Sequence, residues 1–150
     1  MSEWDRRKMR MREKVVLRVV SKIVTPFILL FALYVQFHGD YGPGGGFQAG
    51  IIFAAGLILH GLIFGLGALR RAVPPLFVET GIALGTLLYG GVGVVSMLMG
   101  GEFLNYGSLD PEAPTHGQHL GILLIELGVG ITVSFVAIGI FYAFAGRSQS

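Results

Sequence analysis

The chain reads as an all-α integral membrane protein: four transmembrane helices, N and C termini cytoplasmic, and an amphipathic N-terminal lead-in helix. Three observations predict this. The 150 residues are 53% hydrophobic and only 13% charged, whereas a soluble domain carries roughly 25% charged residues. Four apolar segments each approach the ~20 residues that a spanning helix needs. The 11 Lys and Arg residues are distributed asymmetrically: eight fall between Arg6 and Lys22, two at Arg70 and Arg71, and one at Arg147. Basic flanks are retained on the cytoplasmic side during insertion. The N-terminus, the middle connection and the C-terminus are therefore expected inside, and the other two connections outside.

Residues 1–18 (MSEWDRRKMRMREKVVLR) are basic and helix-permissive and form the cytoplasmic, interfacial lead-in. A four-helix membrane domain follows over residues 19–145, with a short cytoplasmic tail at 146–150. Segment one runs from Val19 to Phe37 with Pro26 inside it, and segment two from Phe47 to Leu69. Segment three covers Leu76 to Met99, and segment four Leu120 to Phe144. In lipid every backbone polar group must be satisfied within the segment, so these are helices and not open strands. Their apolarity is continuous rather than alternating, which excludes a barrel. The first outer loop, His38 to Gly46, is short; Pro74-Pro75 ends one helix and starts the next in the cytoplasmic connection. The second outer loop, Gly100 to Gly117, is long and carries Glu102, Asp110 and Glu112. Short connections predict that spans one to three are antiparallel neighbours.

Several function classes are excluded. The absence of cysteine removes disulfides, thiolate metal sites and cysteine nucleophiles. The sequence pI near 9.2 does not point to nucleic acid, because the basic residues crowd one tail beside a membrane span, where the inner leaflet and insertion polarity account for them. The first apolar stretch lacks a small-x-small cleavage site, so no cleavable signal is expected. No Walker loop, Ser-His-Asp arrangement, haem motif or HExxH is present, so no self-contained enzyme and no bound cofactor is expected.

Four features carry a signal. The run Tyr41-Gly42-Pro43-Gly44-Gly45-Gly46-Phe47-Gln48 places three glycines after a proline and permits backbone angles that other residues resist. It reads as a tight turn between spans one and two; an anion-binding loop would need a Lys-Ser/Thr partner that is missing here. Ionisable residues inside apolar segments form the second feature. Glu126 lies ~10 Å past the outer end of segment four, where a carboxylate costs a few kcal/mol and must face a partner, a cavity or another subunit. His60 lies near the middle of segment two, and Glu79 about one turn inside segment three, where the helix dipole favours it. Third, His116 and His119 are three apart, but no Glu or Cys completes a known metal spacing. His119 is seven residues before Glu126 and shares its helix face. Fourth, the pairs Gly46/Gly50, Gly61/Gly65 and Gly81/Gly85 favour close helix contacts.

Together, Thr25-Pro26-Phe27, the Pro43-Gly44-Gly45-Gly46-Phe47 turn and the stretch from His119 through Ile125-Glu126-Leu127-Gly128-Val129-Gly130-Ile131-Thr132-Val133 resemble the B-type small subunit of the Mrp-type multisubunit sodium/proton antiporter. The resemblance covers residues 18–145, and Pro26, Pro43, Gly44, Gly45, Gly46, Phe47 and Glu126 match its motifs. It implies a small accessory subunit in the inner (plasma) membrane of a prokaryote. The implied partners are large antiporter-like subunits and other small membrane subunits, and the transported species are sodium ions and protons. Glu126, with His119 and also His60 and Glu79 as candidates, would border the cation route. Two alternatives stay open: a purely structural scaffold in that complex, and the same module in a membrane-bound hydrogenase or complex I-like assembly. A small autonomous four-helix drug exporter fits the size, but such exporters use a carboxylate in the first span, and segment one has none.

Overall fold

The computed structural model describes Glu3, residues 14–39 and residues 44–147. The expected lead-in helix falls largely on residues before 14, and with Pro43 it lies outside the described residues. Among the described residues there are helices and no strands. They are α1 (Val15–His38), α2 (Gly46–Phe64), α3 (Leu66–Ala72), α4 (Pro75–Leu98) and α5 (Pro114–Arg147), with a 3-10 turn at Tyr106–Leu109 between the last two. Four of them, α1, α2, α4 and α5, are long and apolar enough to cross a membrane.

The helices overrun the apolar segments at several ends. α1 starts four residues before Val19, and α5 extends from Pro114 to Arg147 where Leu120 to Phe144 was expected. Backbone hydrogen bonding continues past the point where hydropathy falls, so apolar length underestimates helix length. Segment two behaves in the opposite way. Its helix ends at Phe64, because Gly65 takes φ +97°, a conformation that side chains resist. The remaining residues form α3, which lies against the bundle through Leu69, 0% exposed, and carries Arg70 and Arg71 in its last turn.

The packing order corrects a second expectation. α1 packs on α2, α2 on α5, and α5 on α4, so the fourth span stands between the second and third. Spans two and three are adjacent in sequence but not in space. The reason lies in α5: Gly130 faces α2 and Gly128 faces α4. Two residues are about 200° apart around a helix, so these glycines open opposite sides of α5 to close approach. Without a hydrophobic drive between helices in lipid, such close backbone contact decides which helices pair.

α1 is apolar outside and polar within. Its buried residues are Ser21, Thr25, Ala32 and Gln36, while Phe27, Leu30, Phe31, Tyr34 and Phe37 are exposed and line a shallow groove on its outer face. Pro26 sits inside this helix and supplies no backbone N–H. The apolar core lies toward the α3 end, built from Ala54, Leu69, Val73, Val78, Ile138 and Tyr142. There the Tyr142 hydroxyl donates to the Val73 carbonyl at 2.6 Å, joining α5 to the connection after α3.

The loop between α4 and α5 folds back over the opposite end. The Phe103 ring fills the space beside Gly93, and the Tyr106 ring the space beside Gly121. Asp110 starts α5: its Oδ1 accepts the Ala113 N–H at 3.2 Å, and its Oδ2 meets His116 Nδ1 at 3.0 Å. His116 holds the carboxyl of Asp110 below its usual range, and the Ala113 N–H adds to the effect.

Candidate functional site

The site forms where the end of α1, the start of α2 and the middle of α5 meet. α1 ends beside Gly39, and the chain returns through Gly44 and Gly45 into α2. The return is tight. A Cβ on Gly44 would stand 3.0 Å from the Val35 carbonyl oxygen and 3.2 Å from Gly39 Cα; one on Gly39 would stand 3.0 Å from Gly45 Cα. Gly45 takes φ +130° to make the turn. Residues with side chains can neither adopt that angle comfortably nor fit the space. The turn thus obeys the close-packed reading of its glycines.

What packs onto it is Glu126. A Cβ on Gly39 would lie 2.8 Å from Glu126 Oε2, and one on Gly45 3.2 Å from Glu126 Oε1. The half-buried carboxylate therefore sits across two glycines, Gly39 and Gly45, that are 87 and 81 residues earlier in the chain. One position on, Gly46 lies against the Glu126 backbone, with a Cβ position 3.0 Å from Gly130 N. A turn further, Gly50 meets the Gly130 carbonyl oxygen at 2.7 Å by the same measure. The Ser134 hydroxyl closes the seam, 2.7 Å from the Gly130 carbonyl and 3.1 Å from that of Gly50.

Electrostatics explains why a carboxylate belongs there. α2 has no acidic residue in its first turn and no side-chain cap. Its first N–H groups have no partner within the helix and carry the positive end of the helix dipole. Glu126 brings a carboxyl group from another helix to the Gly45 cap position. Such placement is worth ~0.3–1 kcal/mol at an exposed end and up to ~2 kcal/mol when partly buried.

Two amides that sequence reasoning passed over complete the cluster. Gln48 Oε1 is 3.4 Å from the Cβ position of Gly45, beside the carboxylate. Gln36 of α1 is 5% exposed, and its carboxamide carbon lies 3.4 Å from the Cβ position of Gly130. Its Nε2 is buried with no hydrogen-bond partner. A buried donor left unsatisfied costs about 1–3 kcal/mol. The available signal was an amide in an otherwise apolar run, in register with Ser21, Thr25 and Ala32 on the small, polar side of α1.

The other candidates are dispersed. His119 is exposed on α5, about 10 Å along the axis from Glu126. His60 is half-buried, its ring 4.7 Å from that of Phe64 on the same helix, and about 20 Å along α2 from Gly46. Glu79 is exposed near the start of α4, roughly 9 Å along that helix from Gly85, where α4 meets Gly128. Phe47 is exposed beside the turn. Of the predicted residues, the structure joins Glu126 to Gly45 and Gly46, and leaves His60 and Glu79 away from them. Among the described residues, no group of three or more His, Cys, Asp or Glu could hold a metal ion.

Comparison with known proteins gives the geometry its context. Residues 16–139 match the family described as a domain related to the MnhB subunit of the Na+/H+ antiporter. A Staphylococcus haemolyticus protein named as antiporter subunit mnhB2 is 36% identical over 134 residues, covering 88% of this chain and 94% of its own. Similarly named proteins of Staphylococcus epidermidis and Staphylococcus aureus are each 34% identical over the same shares. The matched span takes in α1 through most of α5, including every residue of the Glu126 cluster. The chain belongs to the family of the MnhB subunit of Na+/H+ antiporters.

Proposed function

We propose that this chain, a multi-pass accessory subunit of a multisubunit Na+/H+ antiporter and not an enzyme, borders the cation route of that complex through Glu126. The observation that carries the reading is the position of the carboxylate. It lies in the middle of the longest spanning helix, on a glycine turn that brings three helices together, with the amides of Gln36 and Gln48 close by. An intramembrane carboxylate costs a few kcal/mol and is retained where it meets a route or a partner. The start of α2, the positive end of its helix dipole, lies beside the carboxyl group, and a carboxylate is a group that a sodium ion or a proton can neutralise. That is the property an exchange site needs.

In this reading the transported species are sodium ions and protons, and no cofactor takes part. The partners are the large antiporter-like subunits and the other small membrane subunits. The complex lies in a prokaryotic plasma membrane, with the α3 end of this chain and both termini in the cytoplasm. His119 stands toward the outer end of the same helix and is the second candidate on the route.

The alternative is a scaffold, favoured by the two glycine seams along α5. One experiment separates them: sodium/proton exchange in everted vesicles from a host lacking its own antiporters, with the whole complex carrying Glu126→Gln. The amide keeps the shape and cannot ionise. We expect exchange to fall at least tenfold with assembly on a native gel unchanged. Unchanged exchange at equal assembly would make the chain a scaffold.

A further inference from the structure

A second polar level lies between α1 and α2, toward the α3 end and away from Glu126. Its starting point is Thr25, 8% exposed, whose hydroxyl is buried with no hydrogen-bond partner. Thr80, Thr86, Ser96, Thr132 and Ser134 each donate to the carbonyl four residues earlier, at 2.7–2.9 Å; Thr25 does not. The next residue, Pro26, has no N–H to offer the Lys22 carbonyl. The register of the two helices brings His60 to the same level. Gly56 meets Ile28 and Leu29, with a Cβ position 3.0 and 3.1 Å from their side chains. One turn further, four residues on along α2 and three or four back along α1, stand His60 and Thr25. The turn after that holds Phe64 and Lys22, whose ammonium lies 5.8 Å from the ring centroid. His60 and Thr25 are thus one rung of a continuous ladder between the helices. His60 stacks on Phe64, 4.7 Å between centroids, and forms no hydrogen bond to another described residue.

We infer that the Thr25 hydroxyl, the Lys22 carbonyl and the His60 imidazole hold a water molecule between α1 and α2, as a proton-relay station separate from Glu126. A buried water needs about two to four polar partners, and this rung offers a hydroxyl, a carbonyl and a ring nitrogen. Ordered water and Thr side chains are what satisfy backbone groups freed by a proline within a membrane. The relay rests on the exchange reading above, and ligand chemistry divides the cargo between the two sites. Oxygen ligands suit a hard cation, and the Glu126 cluster supplies carboxyl and amide oxygens. An imidazole suits a proton. It accepts one from the water on its free nitrogen and releases another from the second nitrogen, so the ring ends neutral with its tautomer reversed. α1, α2 and α3 contain no Asp or Glu, so no carboxylate of these helices fixes the imidazole in an ion pair.

The test is X-ray hydroxyl-radical footprinting of the assembled complex in lipid nanodiscs, which oxidises side chains beside bound water, with the products mapped by mass spectrometry. His60 should be oxidised faster than Phe31, which faces outward from α1 in the apolar layer. Thr25→Val keeps the shape and removes the hydroxyl; it should lower His60 oxidation about fivefold, the occupancy lost with one hydrogen bond. Thr25→Ser should restore it. Glu126→Gln should leave it unchanged, whatever that variant does to exchange, so the two sites are read separately. In everted vesicles Thr25→Val should slow sodium/proton exchange severalfold at equal assembly on a native gel. Oxidation of His60 no faster than that of Phe31, a comparison that needs no variant, would overturn the site. Equal oxidation of His60 in Thr25→Val and wild type would overturn it too. Lost oxidation with unchanged exchange would leave a structural water and overturn the relay.

Discussion

α5 makes two seams with its neighbours, one from the same glycine spacing as the other, and they differ in chemistry. Against α4, Gly81 faces the Phe135 ring and Gly85 faces Thr132 and Gly128; Phe135 in turn packs edge-on against Phe77, 5.6 Å between centroids. Against α2, Gly46 and Gly50 face the backbone at Glu126 and Gly130, and the seam carries Glu126, Gln36 and Ser134. A Gly-xxx-Gly pair therefore says that two helices approach closely. What the approach does depends on the opposing helix. The α4 seam is filled by an aromatic ring, and the α2 seam by polar groups and the end of a helix dipole.

The largest expected effect breaks that comparison by adding a single methyl group. Gly→Ala in a helix interior gains ~1 kcal/mol from propensity, and overpacking costs typically ~1–3 kcal/mol. At Gly81 the obstacle is the Phe135 ring, a side chain and not a backbone, so the net cost should be smaller. At Gly46 the Cβ would run into the backbone carbonyl of Glu126 and lie 3.0 Å from Gly130 N, and a helix backbone cannot step aside alone. Gly46→Ala should strip most of this chain from the complex on a native gel, while Gly81→Ala assembles normally. Equal assembly of the two variants would mean that the seams are equally compliant.

A smaller effect sharpens the polar side of the comparison. Gln36→Leu removes a buried N–H that has no partner, so the fold should tolerate it or gain slightly. If the amide serves only packing, exchange stays at wild-type level. If a water or hydrated ion approaching Glu126 uses the amide, exchange should fall severalfold and the apparent KM for sodium should rise, with assembly intact. The corresponding change in the α4 seam, Thr132→Val, removes a hydroxyl that bonds Gly128 of its own helix at 2.8 Å, and should leave exchange unchanged.

How much of this was legible in the sequence follows from the range of each interaction. The four spans were plain because apolar length is a local property. The carboxylate of Glu126 was plain because its cost in lipid demands an explanation wherever it points. The glycine turn was also plain as a separate motif. Their union was not, since Gly45 and Glu126 are far apart in the chain and nothing in either motif names the other. The helix order failed for a related reason. Short loops argue for adjacency, but the stronger signal was the pair Gly128 and Gly130, two residues apart and so on opposite sides of α5. The break at Gly65 was hidden because hydropathy runs through it unchanged, and only a positive φ reveals it.

The smallest expected effect lies outside both seams, at the exposed start of α5. Asp110 accepts the Ala113 N–H and meets His116 Nδ1 at 3.0 Å, but the histidine side chain is 73% exposed. Surface pairs of this kind contribute little and are screened by salt. The folded state holds the Asp110 carboxyl below its ordinary value of 3.8, so its ionised form is the stabilising one. That contribution is present above the unfolded carboxyl's range and is lost as the pH falls through the lower folded value. Asp110→Asn should therefore speed backbone amide exchange over residues 113–117 near neutral pH, with the difference from wild type vanishing in strong acid. Antiport should be unaffected, because the loop lies more than a dozen residues from Glu126 along α5 and its approach. A loss of exchange in this variant would mean that the outer loop, and not only the seam beneath it, takes part in the route.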